Sequence, residues 1–212
     1  MVSKISANIN TEINEIFSKT TLTQTFTNTS KCPIELKIYI CKKQGLVFSS
    51  FTAKIGDSIK VKSRVIKKEK AEEKYTDSIS SGNAAIFVSN DPAYENRQIV
   101  HMGNIPPNTK VEFESEFISF IDFNEKYEFE LFRNFPIFYG NTGIIYEHVD
   151  LNGKILIKSK NKICDVSNEI LFHELKIKKN QSLNENEYLI KYNIEKLPKF
   201  AKYNFLLNRN YS

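Results

Sequence analysis

Side chains that could do chemistry are present, but they lack the spacing that a catalytic or metal site requires. The three histidines, His101, His148 and His173, lie far apart, and none stands in an HxH or HxxxH pattern. His101 falls in a predicted strand, where a structural or surface role is favoured over that of a ligand. Cys41 lies on a strand opposite its apolar face, with no base or electropositive group nearby to activate the thiol. The sequence therefore predicts no catalytic, cofactor-binding or metal-binding residues.

The remaining candidates lead to the same expectation. Glu72, Glu73 and Asp77 could serve acid–base chemistry, but carboxylates on the surface of a predicted helix are usually just solvated. A glycine-rich phosphate loop is absent, and the sequence has only seven glycines in all. Its three cysteines are odd in number and show no CxxC spacing, which argues against a disulfide framework or a zinc site. We expect a protein that is not an enzyme and needs no cofactor.

Charge and hydropathy limit the partners and the compartment. The 30 basic and 25 acidic residues give a net charge of +5 and are interspersed, without the basic stripe typical of nucleic-acid binding. The N-terminus has no apolar region of a secretory signal, and no apolar run approaches the ~20 residues that span a bilayer. We expect a cytoplasmic protein with a protein partner of unknown identity, no nucleic acid and no membrane span.

Alternation of apolar and polar residues predicts that strands make up most of the chain. The clearest example is Ile34, Leu36, Ile38 and Ile40, which follow Pro33 and alternate with polar residues. Residues 103–108, with two prolines, are predicted to form a rigid turn. The predicted strands are 5–13, 17–27, 34–40, 51–55, 59–61, 84–88, 98–102, 109–121, 126–132, 154–158, 170–177, 188–194 and 203–207.

One stretch changes period and predicts a single amphipathic helix at about residues 67–80. Ala71, Tyr75 and Ile79 stand four apart on its apolar face, and Gly82 is the predicted left-handed cap. We expect Tyr75 to pack on a sheet, with the small Ala71 allowing a close approach. The alternative is a ligand pocket lined by Tyr75.

These patterns together predict a mainly β fold. The architecture is an antiparallel β-sandwich with one amphipathic helix, followed by a smaller β segment. The chain divides into a first domain at residues 1–140 and a partial β-sandwich segment at residues 150–212. The apolar face of that segment is covered either by the sandwich of this chain or by strands from elsewhere.

Six segments, in order over about residues 5–135, resemble the VIT domain, the vault protein and inter-alpha-trypsin inhibitor module. They are residues 20–30, 33–35, 51–57, 68–75, 81–85 and 103–114. The resemblance implies a non-catalytic protein–protein interaction or scaffolding module. The alternative is an accessory domain of a larger enzyme whose catalytic part, for example an ADP-ribosyltransferase, is not in this chain.

The resemblance also implies a von Willebrand A domain after the VIT domain, with a metal-adhesion motif Asp-x-Ser-x-Ser. The nearest string here, residues 165–169, lacks the last serine, and so we expect no such site. Residues 150–212 resemble the β segment that links the two domains. The resemblance favours completion of this segment by strands from elsewhere, and predicts self-association through it.

Overall fold

The structure is a computed structural model. It describes residues 5–41, 46–57, 59–62, 67–95, 97–120, 138–139, 149–160, 162–169, 175–194 and 204–209, and the predicted strand 126–132 as well as His148 and His173 lie outside these residues. The elements in chain order are β1 Ile5–Asn14, β2 Phe17–Thr27, β3 Ile34–Cys41, β4 Leu46–Ile55, β5 Ile59–Lys62, α1 Lys68–Ser80, β6 Ala85–Asn90, β7 Arg97–Ile105, β8 Lys110–Phe120, β9 Phe138–Tyr139, β10 Val149–Lys158, β11 Ile163–Glu169, β12 Leu175–Asn184, β13 Glu187–Ile194 and β14 Asn204–Arg209.

A large sheet forms one layer, with strand order β12-β13-β10-β1-β2-β8-β4-β5. In its central ladder β2 and β8 pair antiparallel without a register shift, from Phe17 opposite Phe120 to Thr27 opposite Lys110. Because side chains alternate between the faces of a strand, one face of this ladder is turned inward and carries the apolar residues of the core. Its buried members include Leu22, Phe26, Val111, Phe113 and Phe117.

A smaller sheet, with strand order β6-β7-β3-β9, forms the second layer. Ile38, Val100, Met102 and Ile105 face inward and belong to the same buried cluster as the core of the large sheet. The helix α1 lies on the outer face of the small sheet, where the Tyr75 and Phe87 rings are 5.9 Å apart. The predicted fold class, a mainly β sandwich with one helix, is confirmed.

The apolar face of α1 is the predicted one. Ala71, Tyr75 and Ile79 are partly buried, and no helix residue is fully buried. Gly82 takes the left-handed conformation with φ of 77°, and its N–H donates to the carbonyl of Ile79 over 2.9 Å. This is the glycine cap that the sequence predicts, since a glycine adopts positive φ without a steric penalty.

The C-terminal strands continue the large sheet. β10 pairs parallel with β1 along the whole of both strands, and β13 and β12 follow antiparallel beyond it. Ile155, Ile157 and Ile190 are buried in the common core. For these residues the expectation of an apolar face awaiting strands from elsewhere is wrong, because the chain itself covers them. The division into residues 1–140 and 150–212 stays a prediction, although both parts contribute strands to one sheet.

Gly153 makes the pairing of β10 with β13 possible. It lies directly opposite Tyr192, whose ring is almost fully buried. A Cβ at position 153 would stand 1.9 Å from a ring atom of Tyr192, and so the ring occupies the space that a side chain would need. A large aromatic side chain here covers a glycine on the neighbouring strand and packs the sheet without a hole.

The structure corrects three details of the predicted elements. Residues 103–105 belong to β7 and not to the predicted turn, because Asn104 adopts a φ of 52° at a register shift against β3 and the strand continues to Ile105. β11 was not predicted, since Ile163–Glu169 carries little alternation. The predicted strand 170–177 coincides with β12 only from Leu175, and β12 extends to Asn184 through two register shifts that interrupt the period-two pattern.

A fully buried asparagine holds the turn after β2 against the loop before β8. The Asn28 amide nitrogen donates to the carbonyls of Cys32, Ile105 and Pro106 over 2.9–3.0 Å. Its Oδ1 accepts from the backbone N–H of Ser30 over 2.9 Å. One side chain therefore joins polar backbone groups from two segments that are distant in sequence.

We expect Asn28→Asp to destabilise the protein by about 3 kcal/mol or more at pH 7, because a carboxylate would face three carbonyl oxygens in a buried site. Urea unfolding followed by circular dichroism measures the change. The control is Asn8→Asp on the exposed face of β1, which should stay within about 0.5 kcal/mol of the wild type. Equal unfolding midpoints for the two variants would contradict this account of Asn28.

Candidate interaction site

Four large apolar side chains are exposed together at one end of the outer face of the large sheet; we call them the outer patch. Phe17 lies directly opposite Phe120, with ring centroids 4.7 Å apart, and Val47 lies directly opposite Ile118. The exposed fractions are 46% for Phe17, 61% for Val47, 38% for Ile118 and 63% for Phe120. Single exposed apolar residues are ordinary, whereas a contiguous group of them marks an interaction surface.

The usual polarity of a sheet is inverted at this end of the ladder. Ser18 and Ser119, the neighbours of Phe17 and Phe120, point inward, and their hydroxyls are 2.6 Å apart. Ser18 is only 2% exposed. The register thus places hydroxyls inside and phenyl rings outside, and the outward rings differ from the polar side chains that occupy most of the outer face of β2 and β8. Such a local violation of the binary pattern is expected at a functional surface.

A row of charges borders the outer patch and crosses the sheet. Lys19 pairs with Glu116 over 2.7 Å, and Lys158 pairs with Glu12 over 2.6 Å. The hydrogen bond to Glu116 raises the pKa of Lys19 above its usual value. The four residues lie on β10, β1, β2 and β8, so that the row links the C-terminal strands to the first domain. An apolar centre with a polar rim is the general anatomy of a protein interface.

A second cluster of aromatic side chains lies where α1 packs on the small sheet. The His101 ring is stacked on Phe87, with centroids 5.5 Å apart, and meets the edge of Tyr75 at 6.4 Å. Gly103, two residues further on β7, leaves room for the helix, because a Cβ there would stand 2.3 Å from Ile79 Cδ1. Tyr75 therefore packs on the sheet as the sequence predicts, and these contacts leave the alternative of a ligand pocket without support.

His101 also forms a polar pair that resembles catalytic machinery. Its Nε2 is 3.0 Å from the Ser89 hydroxyl. A serine nucleophile needs a base that a third group orients, and an open site where substrate can reach the serine. In the described part of the chain no carboxylate is hydrogen-bonded to His101, and its ring packs between Phe87 and Tyr75, with both members of the pair partly buried. The arrangement is that of a packed polar pair.

Burial and the neighbouring Lys37 lower the pKa of His101, while Glu72 and Glu35 act in the opposite direction with smaller effect. The charged form of a histidine is disfavoured when its ring is removed from water. His101 is therefore expected to be neutral at pH 7, as a packing residue.

The loop between β6 and β7 presents a rigid aromatic side chain. Asp91 is buried and accepts from the N–H of Ala93 over 2.8 Å and from Arg97 Nε. The Ala93 N–H, together with Arg97, holds the pKa of the Asp91 carboxyl below its usual value. The Arg97 guanidinium lies over the Tyr94 ring at 4.1 Å, and Tyr94 is 56% exposed. Tyr94 does not belong to the outer patch and therefore serves as a control residue in its test.

The other residues with chemical potential do not converge. Glu72 pairs with Lys68 over 3.8 Å on the exposed side of α1, and Glu73 and Asp77 are exposed there as well. Cys41 ends β3, and its side chain is outside the described residues. Among the described residues no group of three or more metal-ligating side chains comes together, and no helix is long and apolar enough to cross a membrane.

The profile of one protein family matches the chain. The family is the Vault protein inter-alpha-trypsin domain, or VIT domain, and the match covers residues 5–117, more than half of the chain. The chain belongs to the VIT domain family. The resemblance seen in the sequence is thereby confirmed, and it spans β1 to β8 with α1 between them.

Curated relatives of this VIT protein are much longer than the chain. Two von Willebrand factor A domain-containing proteins of Dictyostelium discoideum are 34% and 33% identical to it, over 105 and 107 residues. Each alignment covers 49% of this chain, and it covers only 11% and 12% of the respective relatives. The association of VIT sequences with von Willebrand A domains therefore holds for these relatives.

A solved structure shares the overall arrangement of strands. It is a crystal structure from Legionella pneumophila, of a protein provisionally described as nutrient-binding, with a TM-score of 0.56 and 9% identity. The alignment covers 97% of this chain and 66% of that chain. At such low identity the likeness shows the fold alone.

Sequence reasoning identified α1 and its apolar face, but it missed the outer patch. The only signal was that Phe17 and Phe120 each stand next to a serine at a strand end. Alternation along β8 alone predicts that Ser119 shares a face with Phe113 and Phe117, which leaves Phe120 on the other face. That Phe17 lies opposite Phe120, and Val47 opposite Ile118, depends on the pairing of the strands, and this register cannot be read from either strand alone. The VIT match ends at Phe117, just before Ile118 and Phe120.

We expect Gly103→Val to destabilise the VIT domain by about 1–3 kcal/mol, because the new side chain would overlap Ile79 and Tyr75 and lift α1 from the sheet. The measurement is the unfolding midpoint in urea. Adding Ile79→Ala should recover part of the loss, since it vacates the contested space. A double variant that loses the sum of both single effects would contradict the close packing of α1 at this point.

The lowered pKa of His101 predicts a loss of stability towards acid. Between the folded pKa and the usual value of 6.5, the unfolded chain binds more protons than the folded one. Stability should therefore fall as pH falls through about 6.5, and this contribution should stop once the folded pKa is passed. His101→Gln removes the titration, so its urea midpoint should change less than that of the wild type from pH 7.5 to 5.5. Parallel pH profiles would contradict the assignment.

Proposed function

We propose that this chain is a non-catalytic protein–protein interaction or scaffolding module of the VIT type. The observation that carries the proposal is the outer patch, in which Phe17, Val47, Ile118 and Phe120 lie exposed and contiguous on the outer face of the large sheet. Burying an exposed phenylalanine contributes about 1.5–3 kcal/mol, so that two such rings can anchor a protein partner.

The rigidity of the outer patch supports this role. Phe17 and Phe120 project from the central ladder of the large sheet and contact each other, and therefore lose little conformational freedom on binding. Aromatic residues are enriched at the centres of interfaces, where a polar rim excludes water. The paired Lys19 and Glu116 stand where such a rim would be.

The absence of enzymatic activity, of a cofactor and of nucleic-acid binding belongs to the same proposal. It is supported by the Ser89–His101 pair, in which the imidazole packs against Tyr75 of α1 and, among the described residues, has no hydrogen-bonded carboxylate to orient it as a base. A cytoplasmic location is also proposed. Cys32 supports it as an exposed thiol that is not in a disulfide, which suits a reducing compartment. A protein partner and self-association through the C-terminal strands stay predictions.

The outer patch is tested by the double variant Phe17→Ser, Phe120→Ser. Both side chains are exposed, and we expect urea stability within about 1 kcal/mol of the wild type. Proteins crosslinked to the tagged wild-type chain in native lysate should be recovered at least about tenfold less with the variant, the effect of losing one anchor of about 1.4 kcal/mol.

The matched control is Tyr94→Ser, which removes an equally exposed aromatic ring from the β6–β7 loop. We expect it to recover the same proteins as the wild type. Undiminished recovery with the double variant would refute the outer patch as the contact surface, and so would an equal loss with Tyr94→Ser.

A further inference from the structure

The open edges of the sheets differ in how they are protected against pairing with another strand. β5, at one edge of the large sheet, has only four residues, two of them lysines. β12, at the other edge, contains two register shifts and three lysines. β9, at one edge of the small sheet, has two residues. Short length, bulges and lysines are the devices by which proteins prevent edge-to-edge association.

β6, at the other edge of the small sheet, has none of these devices. Its sequence, AIFVSN, carries no charge and no proline, and it pairs with β7 without a register shift. Among the described residues no strand pairs with its second edge. β11 and β14, which form the two-stranded sheet, contain charged residues, unlike β6.

The phase of the β6–β7 ladder shows which backbone groups of β6 point outward. The N–H of Asp91 donates to the carbonyl of Arg97 over 2.9 Å, which makes this the hydrogen-bonded kind of antiparallel pair. Because the two kinds of pair alternate, Phe87 bonds to His101, whereas Ile86 and Val88 stand in non-bonded pairs with Met102 and Val100. The N–H and carbonyl groups of Ile86 and Val88 therefore point away from β7.

The side chains of β6 suit an added strand. Ile86 and Val88 point inward and pack against the core, while Phe87 points outward beside Tyr75. A strand added to β6 would extend the hydrogen-bond ladder, and its inward side chains would extend the core at the same time.

We propose that β6 pairs antiparallel with β6 of a second copy of this chain, so that the two small sheets join across a twofold axis. In a twofold interface the same segment of each copy meets the other, with residue i facing residue j and j facing i, so that only the residue on the axis faces itself and a charge there would face its own like. β6 is uncharged along its whole length. In the register centred on Phe87, Ile86 faces Val88 of the second copy, apolar against apolar. This register forms about four backbone hydrogen bonds.

Sedimentation velocity of the 212-residue chain over a range of concentrations tests the proposal. We expect a reversible monomer–dimer equilibrium, and hydrogen–deuterium exchange of residues 85–90 that slows as protein concentration rises, because the outward N–H groups become bonded in the dimer. A chain that stays monomeric at all concentrations would refute the proposal, and so would exchange in this segment that is independent of concentration.

Val88→Pro removes the outward N–H without removing a bond of the β6–β7 ladder, since proline is tolerated at an edge position that faces away from the sheet. We expect a folded monomer, with a dimer dissociation constant raised about tenfold or more. Val88→Ala is the matched control: it loses the side-chain packing, keeps the N–H and should still dimerise. A folded Val88→Pro protein that dimerises like the wild type would refute the β6 interface. If Val88→Pro does not fold, the exchange of residues 85–90 in the wild type decides.

Discussion

The register between β2 and β8 is the constraint on which the rest of the structure depends. Eleven residues of β2 pair with eleven of β8 without a bulge, and both strands turn the same alternating face into the core. A slip of one residue would turn Phe113 to solvent and Glu112 into the core, at a cost that no other contact could offset. The same register decides what lies on the outer face. It leaves Phe17 and Phe120 no inward position, since the inward positions beside them belong to Ser18 and Ser119.

The parallel pairing of β10 with β1 places strands from the second half of the chain in the same sheet as strands of the VIT domain. Parallel strands need a long connection, and here residues 15–148, which include β2 to β9 and α1, connect β1 to β10. Once in place, β10 supplies two buried isoleucines to the common core, and Lys158 joins the charge row through Glu12. The family match ends at residue 117, yet β1 lies inside it. The first strand of the VIT domain is thus held on both sides, by β2 and by a strand from outside the match.

Local pattern predicted most of the fold, and the exceptions share one physical cause. β2 was predicted with its observed bounds, and α1 with its apolar face and its glycine cap, because these features follow from period and from glycine at one position. The extension of β7 through Asn104 and the length of β12 depend on bulges, which interrupt the period locally and are stabilised by neighbouring strands. The covering of Ile155 and Ile157, like the outer patch, depends on which strands meet, and this is a property of the whole sheet.

The features that support an interaction role arise from placement rather than from reactive groups. Ser89 and His101 have the residue types of a hydrolase, but α1 packs against the His101 ring through Tyr75 and makes it a packing residue. Phe17 and Phe120 have side chains that belong in a core, but the register exposes them. In both cases the position of a residue in a sheet, and not its chemical type, determines its role. A motif search detects residue types and spacing. It therefore gives too much weight to Ser89 and His101 and does not detect Phe17 and Phe120.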